Sequence, residues 1–336
     1  MARQVTMIRL LHLDTDSGVA TPRDPSEVEA ILRAGHGALW LDMEGEPPQA
    51  CEPLLLQTFG FHPLAVDDAL QESHVPKIDD WEDYLYIVLH AVAFSRSEHG
   101  GGDLATIELD VFLGRNYIVT HHDLPIPALD RVWTDCQRDR RHFSRGVDHL
   151  LYLICDEVAN SFVAAVDEMD DALDRVEVKL FNQPTPHVLE HLFDLKRSLL
   201  RLRRNIAPQR EVLNKLARDD YAVIDSQARV YFRDVYDHLV RLYEINESMR
   251  DLVAGALDTY LSVINNRMND VMKTLTLITT LFMPISFVAG FFGMNFFQPI
   301  FESDVWTSVP VLVLALMLMV VVPIGMYLWM RHRRFT

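Results

Sequence analysis

The chain has 336 residues, long enough for two domains, and its net charge of −17 is unevenly distributed. Residues 271–336 carry a net charge of +2, so residues 1–270 carry −19. So acidic a segment argues against nucleic acid as a partner and favours attraction of cations. The hydrophobic fraction of 49% is high for an acidic protein that is soluble throughout, and the excess lies at the C-terminal end.

The N-terminus and the cysteines indicate a large cytoplasmic part. The first residues lack the apolar core of a signal peptide, because Arg9 and Asp14 interrupt it. The cysteines are widely spaced without a CxxC pair, which predicts packing residues rather than a disulfide framework or a structural zinc site. They are Cys51, Cys136 and Cys155.

Residues 1–145 combine strand and helix signals and predict a cytoplasmic α/β domain. Runs rich in β-branched and aromatic residues predict strands in VTMIRLLHL, GALWLDME, YLYIVLHAVAF and IELDVFLGRNYIVTHH, with a hairpin turn at Gly114–Asn116. Prolines predict the starts of short helices at Pro25–Ala34 and Pro48–Phe59. His121 and His122 are strand neighbours that point to opposite faces, so we do not expect them to bind one metal ion.

Residues 146–224 predict a pair of long antiparallel helices. Apolar residues at helical spacing fill the first helix up to a break at Asn182–Pro186. A second helix is expected to run back from His187 towards Asp219, with a kink at Pro208. Five acids on the first helix form either a solvated face or a surface that attracts cations. They are Glu168, Asp170, Asp171, Asp174 and Glu177.

Residues 225–270 predict a stalk helix that is continuous with a first membrane span over residues 271–291. No proline-rich interruption separates the two, so a single helix of about 65 residues, on the order of 100 Å, is expected. A helix of this length is not stable alone in water and needs partners. The pattern therefore predicts self-association.

Two apolar segments predict transmembrane helices. Residues 271–291 contain one charge, Lys273, and about 21 residues at about 1.5 Å each match the hydrocarbon core of a bilayer. Residues 309–330 are uncharged, with Tyr327 and Trp329 where an aromatic belt would lie. The chain is thus expected to cross the membrane twice.

Basic residues predict the orientation of the two spans. Arg267 precedes the first span and the basic tail of residues 331–336 follows the second, so both termini are expected in the cytoplasm. The loop of residues 292–308 then lies outside and contains no lysine or arginine. Its acids, Glu302 and Asp304, either attract cations or are ordinary solvated residues.

The first span carries a narrow polar seam, reached by alternate steps of three and four residues from its cytoplasmic end. The seam consists of Asn269, Met272, Thr276, Thr279, Met283, Ser286, Gly290 and Gly293. Residues between these positions are large and apolar, for example Leu275 and Phe287. Small residues allow close packing of membrane helices, whereas a ring of several copies would place the seams around a water-filled path. Both interpretations remain open at this point.

The C-terminal third resembles the CorA family of magnesium transporters. The segment MKTLTLITTLFMPISFVAGFFGMNF precedes a short acidic loop, a second span and a basic tail. The family's hallmark is the triplet Gly-Met-Asn, here Gly293, Met294 and Asn295, and its position at the outer end of the penultimate span makes the match specific. The stretches YFRDVYDHL and LDTYLSVINNRMNDVMK also resemble the family, whereas the N-terminal domain does so only in architecture.

The resemblance implies a homopentamer in the lipid bilayer, with a cytoplasmic funnel and stalk. The first span would line the pore, the second would surround it, and the Gly-Met-Asn triplet would form a selectivity filter with five Asn295 side chains at its mouth. Pore positions carried over from the family are Asn269, Met272, Leu275, Met283, Ser286 and Asn295. Asp258 matches an acidic position for regulatory magnesium. Phe292 stands where the family usually has tyrosine, so a hydroxyl contact there is in doubt.

The chemistry of magnesium is consistent with this resemblance. Mg²⁺ loses its water reluctantly and keeps an octahedral shell. Neutral amide oxygens accept hydrogen bonds from that water without holding the ion too tightly, whereas five carboxylates would trap it. A ring of Asn295 would therefore select a hydrated ion and release it.

The sequence thus predicts an α+β membrane protein that moves Mg²⁺ inward across the inner membrane and is gated by cytoplasmic Mg²⁺. A Zn²⁺, Co²⁺ or Ni²⁺ transporter, with or without proton coupling, is an alternative within transport. A membrane-anchored sensor that conducts nothing is an alternative from another class. The chain has no GxGxxG, Walker or GxSxG motif, and no enzymatic activity is predicted.

Overall fold

The computed structural model describes residues 7–13, 20–71, 74–96, 102–139, 145–182, 184–294 and 309–332. Internal contacts divide the chain into two compact units, Met1–Leu257 (unit 1) and Asp258–Thr336 (unit 2). A sheet with short helices, then long helices and a final apolar helix follow one another along the chain. The predicted fold class is confirmed, and the finer division into segments stays a prediction.

Unit 1 is built on a seven-stranded sheet. Its strands are β1 (Met7–Leu13), β2 (Ala20–Arg23), β3 (Ala38–Glu44), β4 (Lys77–Asp80), β5 (Leu85–Arg96), β6 (Gly102–Leu113) and β7 (Tyr117–His122). They lie in the order β2-β1-β3-β7-β6-β5-β4. The pair β3 and β7 is parallel and the other neighbours are antiparallel. Strand β3 is buried along its whole length, as expected for a central strand covered on both faces.

The predicted hairpin turn joins β6 to β7. The N–H of Gly114 donates to the carbonyl of Tyr117 at 2.9 Å, and Leu113 pairs with Ile118. A Cβ atom on Gly114 would come within 2.3 Å of the Tyr117 ring. Any larger residue at this position would therefore displace the tyrosine, which fixes glycine at the turn.

Short helices cover both faces of the sheet. The helices are α1 (Val28–Ala34), α2 (Pro48–Pro53), α3 (Pro63–Gln71) and α4 (Pro127–Arg138). On one face, β3 residues Leu39 and Leu41 pack into a core with α1, α2 and α3. On the other face, Trp40 contacts Trp133 of α4 with ring centroids 4.9 Å apart. The alternation along β3 therefore places successive side chains in two separate cores.

The local elements differ from the predictions in detail. The helix expected at Pro25–Ala34 begins as a 3-10 turn, Pro25–Glu27, before α1, and the one expected at Pro48–Phe59 becomes α2 followed by a π-helical turn. Pro53 lacks an N–H, so the regular α-helical hydrogen bonding ends there. Strands β2 and β4 and helices α3 and α4 were not predicted. The three cysteines are free and buried, which confirms their packing role.

Three long helices follow the sheet in the chain. They are α5 (Val147–Asn182), α6 (Pro186–Arg218) and α7 (Arg229–Gly293), the last of 65 residues. Within unit 1, α7 buries residues at steps of three and four, the spacing of a coiled-coil seam. These residues are Phe232, Val235, Leu239, Leu242, Asn246, Met249, Val253 and Ala256.

Among the described residues, three helices are long and apolar enough to cross a membrane: α5, α7 and α8 (Val309–His332). In α5, 56% of the most apolar window is buried by the chain itself, against 0% in α7 and 6% in α8. Helix α5 therefore satisfies its apolar residues by packing in unit 1. Helices α7 and α8 leave most of their apolar residues uncovered by the chain, as expected for the two predicted membrane spans.

Candidate functional site

The polar seam of α7 is exposed along its entire length. Every seam residue from Asn269 to Gly293 is solvent-accessible in the single chain. A second row of α7 residues is partly covered, and about 100° of rotation per residue places this row on the opposite side of the helix. The row comprises Leu277, Thr280, Leu281, Pro284, Ile285, Val288 and Phe292. The chain thus covers one side of its first span and leaves the seam side open.

Hydroxyl groups near the seam donate to their own helix. Thr279, a seam residue, donates its Oγ1 hydrogen to the Leu275 carbonyl at 2.8 Å. Thr274, which lies off the seam, makes the same bond to the Asp270 carbonyl at 2.9 Å. Because the hydrogen of Thr279 is used within the helix, its lone pairs are what the seam presents. Such oxygens accept hydrogen bonds from the water around a cation.

A cavity lies at the Asn269 end of the seam, which is the end predicted to face the cytoplasm. Its volume of about 670 Å³ is enough for about 20 water molecules. It is lined by Asn266, Asn269, Asp270, Met272, Lys273, Thr276 and Met330. Three of these are seam residues. Asn266, Asp270 and Met330 were not predicted, because extending the alternate steps back from Asn269 reaches Asn265 instead of Asn266.

The single charge of the first span is partly neutralised at this cavity. Lys273 Nζ lies 3.9 Å from Asp270 Oδ1, and both side chains are exposed. An exposed pair of this kind contributes at most about 1 kcal/mol to stability. Between Thr274 and Met294 the helix carries no charged residue, so the seam beyond the cavity consists of neutral groups.

The outer end of the seam is described only in part. Helix α7 ends at Gly293, and the N–H of Met294 donates to the Phe291 carbonyl at 3.4 Å. Met294 is exposed. Asn295, Glu302 and Asp304, on which the predicted filter and outer acids depend, lie outside the described residues.

Asp258 is exposed on α7, at the first position of unit 2. Within the described part of the chain, no group of three or more His, Cys, Asp or Glu side chains could hold a metal ion.

Buried charges in unit 1 form a separate network that the sequence did not predict. His122 Nε2 lies 3.3 Å from Asp42 Oδ1, and Arg9 Nε donates to Asp42 Oδ2 at 2.7 Å. Burial alone would raise the pKa of Asp42, but His122 and Arg9 outweigh it and lower that pKa. Asp42 in turn raises the pKa of His122 despite the burial of that histidine. The network therefore joins β1, β3 and β7 by charge.

His121 has a different partner from its neighbour. Its Nδ1 atom lies 3.5 Å from Asp110 Oδ2, and Tyr86 donates its hydroxyl to Asp110 Oδ1 at 2.7 Å. Burial alone would lower the pKa of His121, but Asp110 and Cys51 outweigh burial and raise that pKa to about 10. The two histidines thus take part in two separate ion pairs.

Comparison with known proteins identifies the family. The family model described as "CorA-like Mg2+ transporter protein" matches residues 35–333. The chain belongs to the CorA family. The match confirms the resemblance found in the sequence. Members of this family are membrane transporters of divalent cations and not enzymes.

Individual relatives span most of the chain. The "Putative metal ion transporter YfjQ" of Bacillus subtilis is 34% identical over 308 residues, 91% of this chain and 92% of that protein. The "Cobalt/magnesium transport protein CorA" of Thermotoga maritima is 33% identical over 279 residues, 81% of this chain and 77% of that protein. The "Zinc transport protein ZntB" of Yersinia pseudotuberculosis is 27% identical over 269 residues, 80% of each.

A solved structure shares the whole fold. The CorA magnesium transporter of Methanocaldococcus jannaschii superposes with a TM-score of 0.81 at 22% identity, and the match covers 98% of each chain. The α/β sheet, the long helices and the apolar C-terminal helix therefore belong to one architecture that the CorA family uses.

Proposed function

We propose that this CorA-family protein takes up Mg²⁺ through a pore made by five identical chains. The observation that carries the proposal is the open seam of α7 opposite a covered row. Lipid cannot accept hydrogen bonds from or donate them to the seam residues, so in a membrane their polar atoms need water or other copies of the chain. A ring of chains provides both, with water at its centre.

The seam suits a hydrated cation. Its neutral oxygens accept hydrogen bonds, and the Thr279 hydroxyl is oriented by its bond to Leu275 so that lone pairs remain. Neutral acceptors bind a hydrated divalent ion weakly enough to release it. At the outer mouth, five Asn295 amides act in the same way as the selectivity filter, and Glu302 with Asp304 raises the local cation concentration.

Transport is directed inward across the inner membrane, with both termini in the cytoplasm. Helix α8 carries Arg331 and His332 in its last turn, and Lys273 lies at the corresponding end of the first span. A membrane potential of about 100 mV supplies about 2.3 kcal/mol per charge, or about 4.6 kcal/mol for Mg²⁺. Uptake therefore needs no other energy source.

Cytoplasmic Mg²⁺ closes the pore by bridging neighbouring chains near Asp258. This residue is exposed, and the described part of the chain contains no group of three or more His, Cys, Asp or Glu side chains that could hold a metal ion. Depletion of the ion would leave the acidic subunits repelling one another and loosen the ring.

A second candidate is transport of Zn²⁺, Co²⁺ or Ni²⁺, with or without proton coupling. It is favoured by the names of relatives, which include a zinc transport protein and a cobalt/magnesium transport protein. Neutral oxygens discriminate poorly among hydrated divalent ions, so the seam itself does not separate these cargoes.

Flux into proteoliposomes tests both candidates. The purified full-length protein is reconstituted, and entry of Mg²⁺, Co²⁺, Ni²⁺ and Zn²⁺ is measured for wild type, Asn295→Ala and Asn182→Ala. Asn182 is an exposed amide on α5 and serves as the matched control. We expect Mg²⁺ entry in wild type and the control and its loss in Asn295→Ala. Vesicles impermeable to all four ions would instead support a sensor that conducts nothing.

A further inference from the structure

One segment of α6, Arg203 to Arg210, contacts the sheet on one side. Gln209 is 1% exposed, and its Oε1 accepts the backbone N–H of His90 on β5 at 2.7 Å. The Asn205 Oδ1 lies 3.1 Å from His90 Nδ1, and its Nδ2 donates to the Thr106 hydroxyl on β6 at 2.8 Å. The two bonds to His90 are buried and the bond to Thr106 is partly buried, so together they attach this segment to the sheet.

The same segment contacts α7 on its other side. The guanidinium of Arg210 lies 4.8 Å from the ring centroid of Tyr243, and that of Arg203 lies 5.9 Å from it. Arg203 Nε also lies 3.3 Å from Glu247 Oε1. Two cations on one aromatic ring hold α7 against α6 at this level.

The buried row of α7 contains a polar residue at this level. Asn246 is 0% exposed, and neither atom of its amide has a hydrogen-bond partner among the described residues. It interrupts a buried row that is apolar on either side, at Leu242 and Met249. Burial of an unpaired amide is unfavourable, so the position of α7 here depends more on the contacts around Tyr243.

Helix α6 also lacks one backbone hydrogen bond within the segment that contacts both the sheet and α7. Pro208 lies inside the helix, between Asn205 and Gln209 in sequence and two residues before Arg210. Its missing N–H removes the bond that would reach the carbonyl of Arg204. A small change of angle at this proline alters how Arg210 meets Tyr243.

We propose that Tyr243 is a positioning residue: clamped by Arg203 and Arg210, it passes the placement of α6 on the sheet to α7, and so sets the cytoplasmic Mg²⁺ concentration at which transport is inhibited. Helix α7 continues from Tyr243 to the seam without a break, up to Gly293. The inference rests on the proposed function, because it needs a pore that cytoplasmic Mg²⁺ inhibits.

The test measures Mg²⁺ entry into proteoliposomes of the full-length protein while the Mg²⁺ concentration on the cytoplasmic side is varied. Tyr243→Leu removes the aromatic ring, and Arg210→Gln removes the nearer cation. Tyr243→Phe keeps the ring. Arg204→Gln is the matched control, since it makes the same charge change on an exposed residue of α6 outside the contacts with Tyr243. Melting temperatures are recorded for every variant.

We expect Tyr243→Leu and Arg210→Gln to shift the half-inhibiting Mg²⁺ concentration by about two- to fivefold, the range of one partly exposed cation–π contact. The double variant should shift it no further than the larger single shift. Tyr243→Phe and Arg204→Gln should match wild type. A changed melting temperature with an unchanged half-inhibiting concentration would show a purely structural role and overturn the inference.

The failure of the proposed function looks different from the failure of this inference. Wild-type vesicles without flux would remove the pore, and wild-type flux insensitive to cytoplasmic Mg²⁺ would remove the gating. Wild-type flux with normal inhibition, and the same inhibition in Tyr243→Leu and Arg210→Gln, would overturn only the role of Tyr243.

Discussion

Helix α5 and the membrane span of α7 are both long and apolar enough to cross a bilayer, yet they satisfy their apolar residues in different ways. The mean hydropathy of their most apolar windows is 1.3 and 1.9, and 56% of the α5 window is buried by the chain against none of the α7 window. Apart from the buried Asp148, helix α5 keeps its acids at accessible positions, whereas the span of α7 has an exposed neutral polar seam. High hydropathy therefore shows that a helix has apolar residues to remove from water, and the structure shows whether the chain itself buries them.

The largest expected effect is a difference in unfolding free energy when one phenylalanine in each helix is replaced by alanine. Phe162 of α5 is 0% exposed and Phe287 of α7 is 72% exposed. Phe162→Ala should lower the free energy of unfolding by about 3–5 kcal/mol, because it leaves a cavity in a packed core. Phe287→Ala should change it by less than about 0.5 kcal/mol.

The measurement for this pair is denaturant unfolding of the full-length protein in detergent, followed by circular dichroism. Equal losses from both substitutions would mean that the span is packed as tightly as α5, and the comparison would fail.

A smaller effect follows from the charges, which are buried in unit 1 and missing from the seam. The pKa of His121 is raised from 6.5 to about 10 in the folded protein. Between these values the folded state binds more protons than the unfolded state, so stability falls as pH rises through this window. The loss is expected to be of the order of a few kcal/mol in all.

Thermal melting between pH 6.5 and pH 10 checks the charge effect. His121→Gln should flatten most of the decline, since the group that takes up the proton is then missing. A seam variant such as Ser286→Ala should keep the wild-type slope, because no titratable group lies between Thr274 and Met294. A slope that persists in His121→Gln would assign the effect to other groups.

The smallest expected effect tests the two sides of α7 itself. Thr279 and Thr274 make the same hydroxyl bond to their own helix, but only Thr279 lies on the seam. Thr279→Val should slow Mg²⁺ flux by about three- to tenfold, the value of one lost hydrogen bond to the hydration shell. Thr274→Val should leave the flux unchanged, and proteoliposome flux distinguishes the two. Equal slowing would mean that the seam is not the ion path.

Much of the fold could be predicted from the sequence. The central strands were found because their β-branched runs are long, and the 65-residue helix because no breaker interrupts it. Strands β2 and β4 have only four residues each, and Pro22 lies in β2, so their signal is weak. Helix α4 has apolar residues at helical spacing, Leu129, Val132, Trp133 and Cys136, and could have been predicted from that pattern.

The candidate site was predicted only in part. Spacing alone identified the seam residues, but it left both helix packing and a pore open. What covers the opposite side of α7 is a tertiary property, and it could not be read from local spacing. The cavity depends on Met330, which is distant in sequence from Asn269, and the pairing of Arg9 with Asp42 likewise joins distant residues.

The two-sided span also has a genetic consequence. In the proposed ring of five chains, a substitution on the covered row of α7 affects only the chain that carries it, whereas one on the seam alters the pore that all five chains share. Cells that express both alleles should therefore show dominant loss of uptake for seam alleles, and recessive loss for alleles of the covered row.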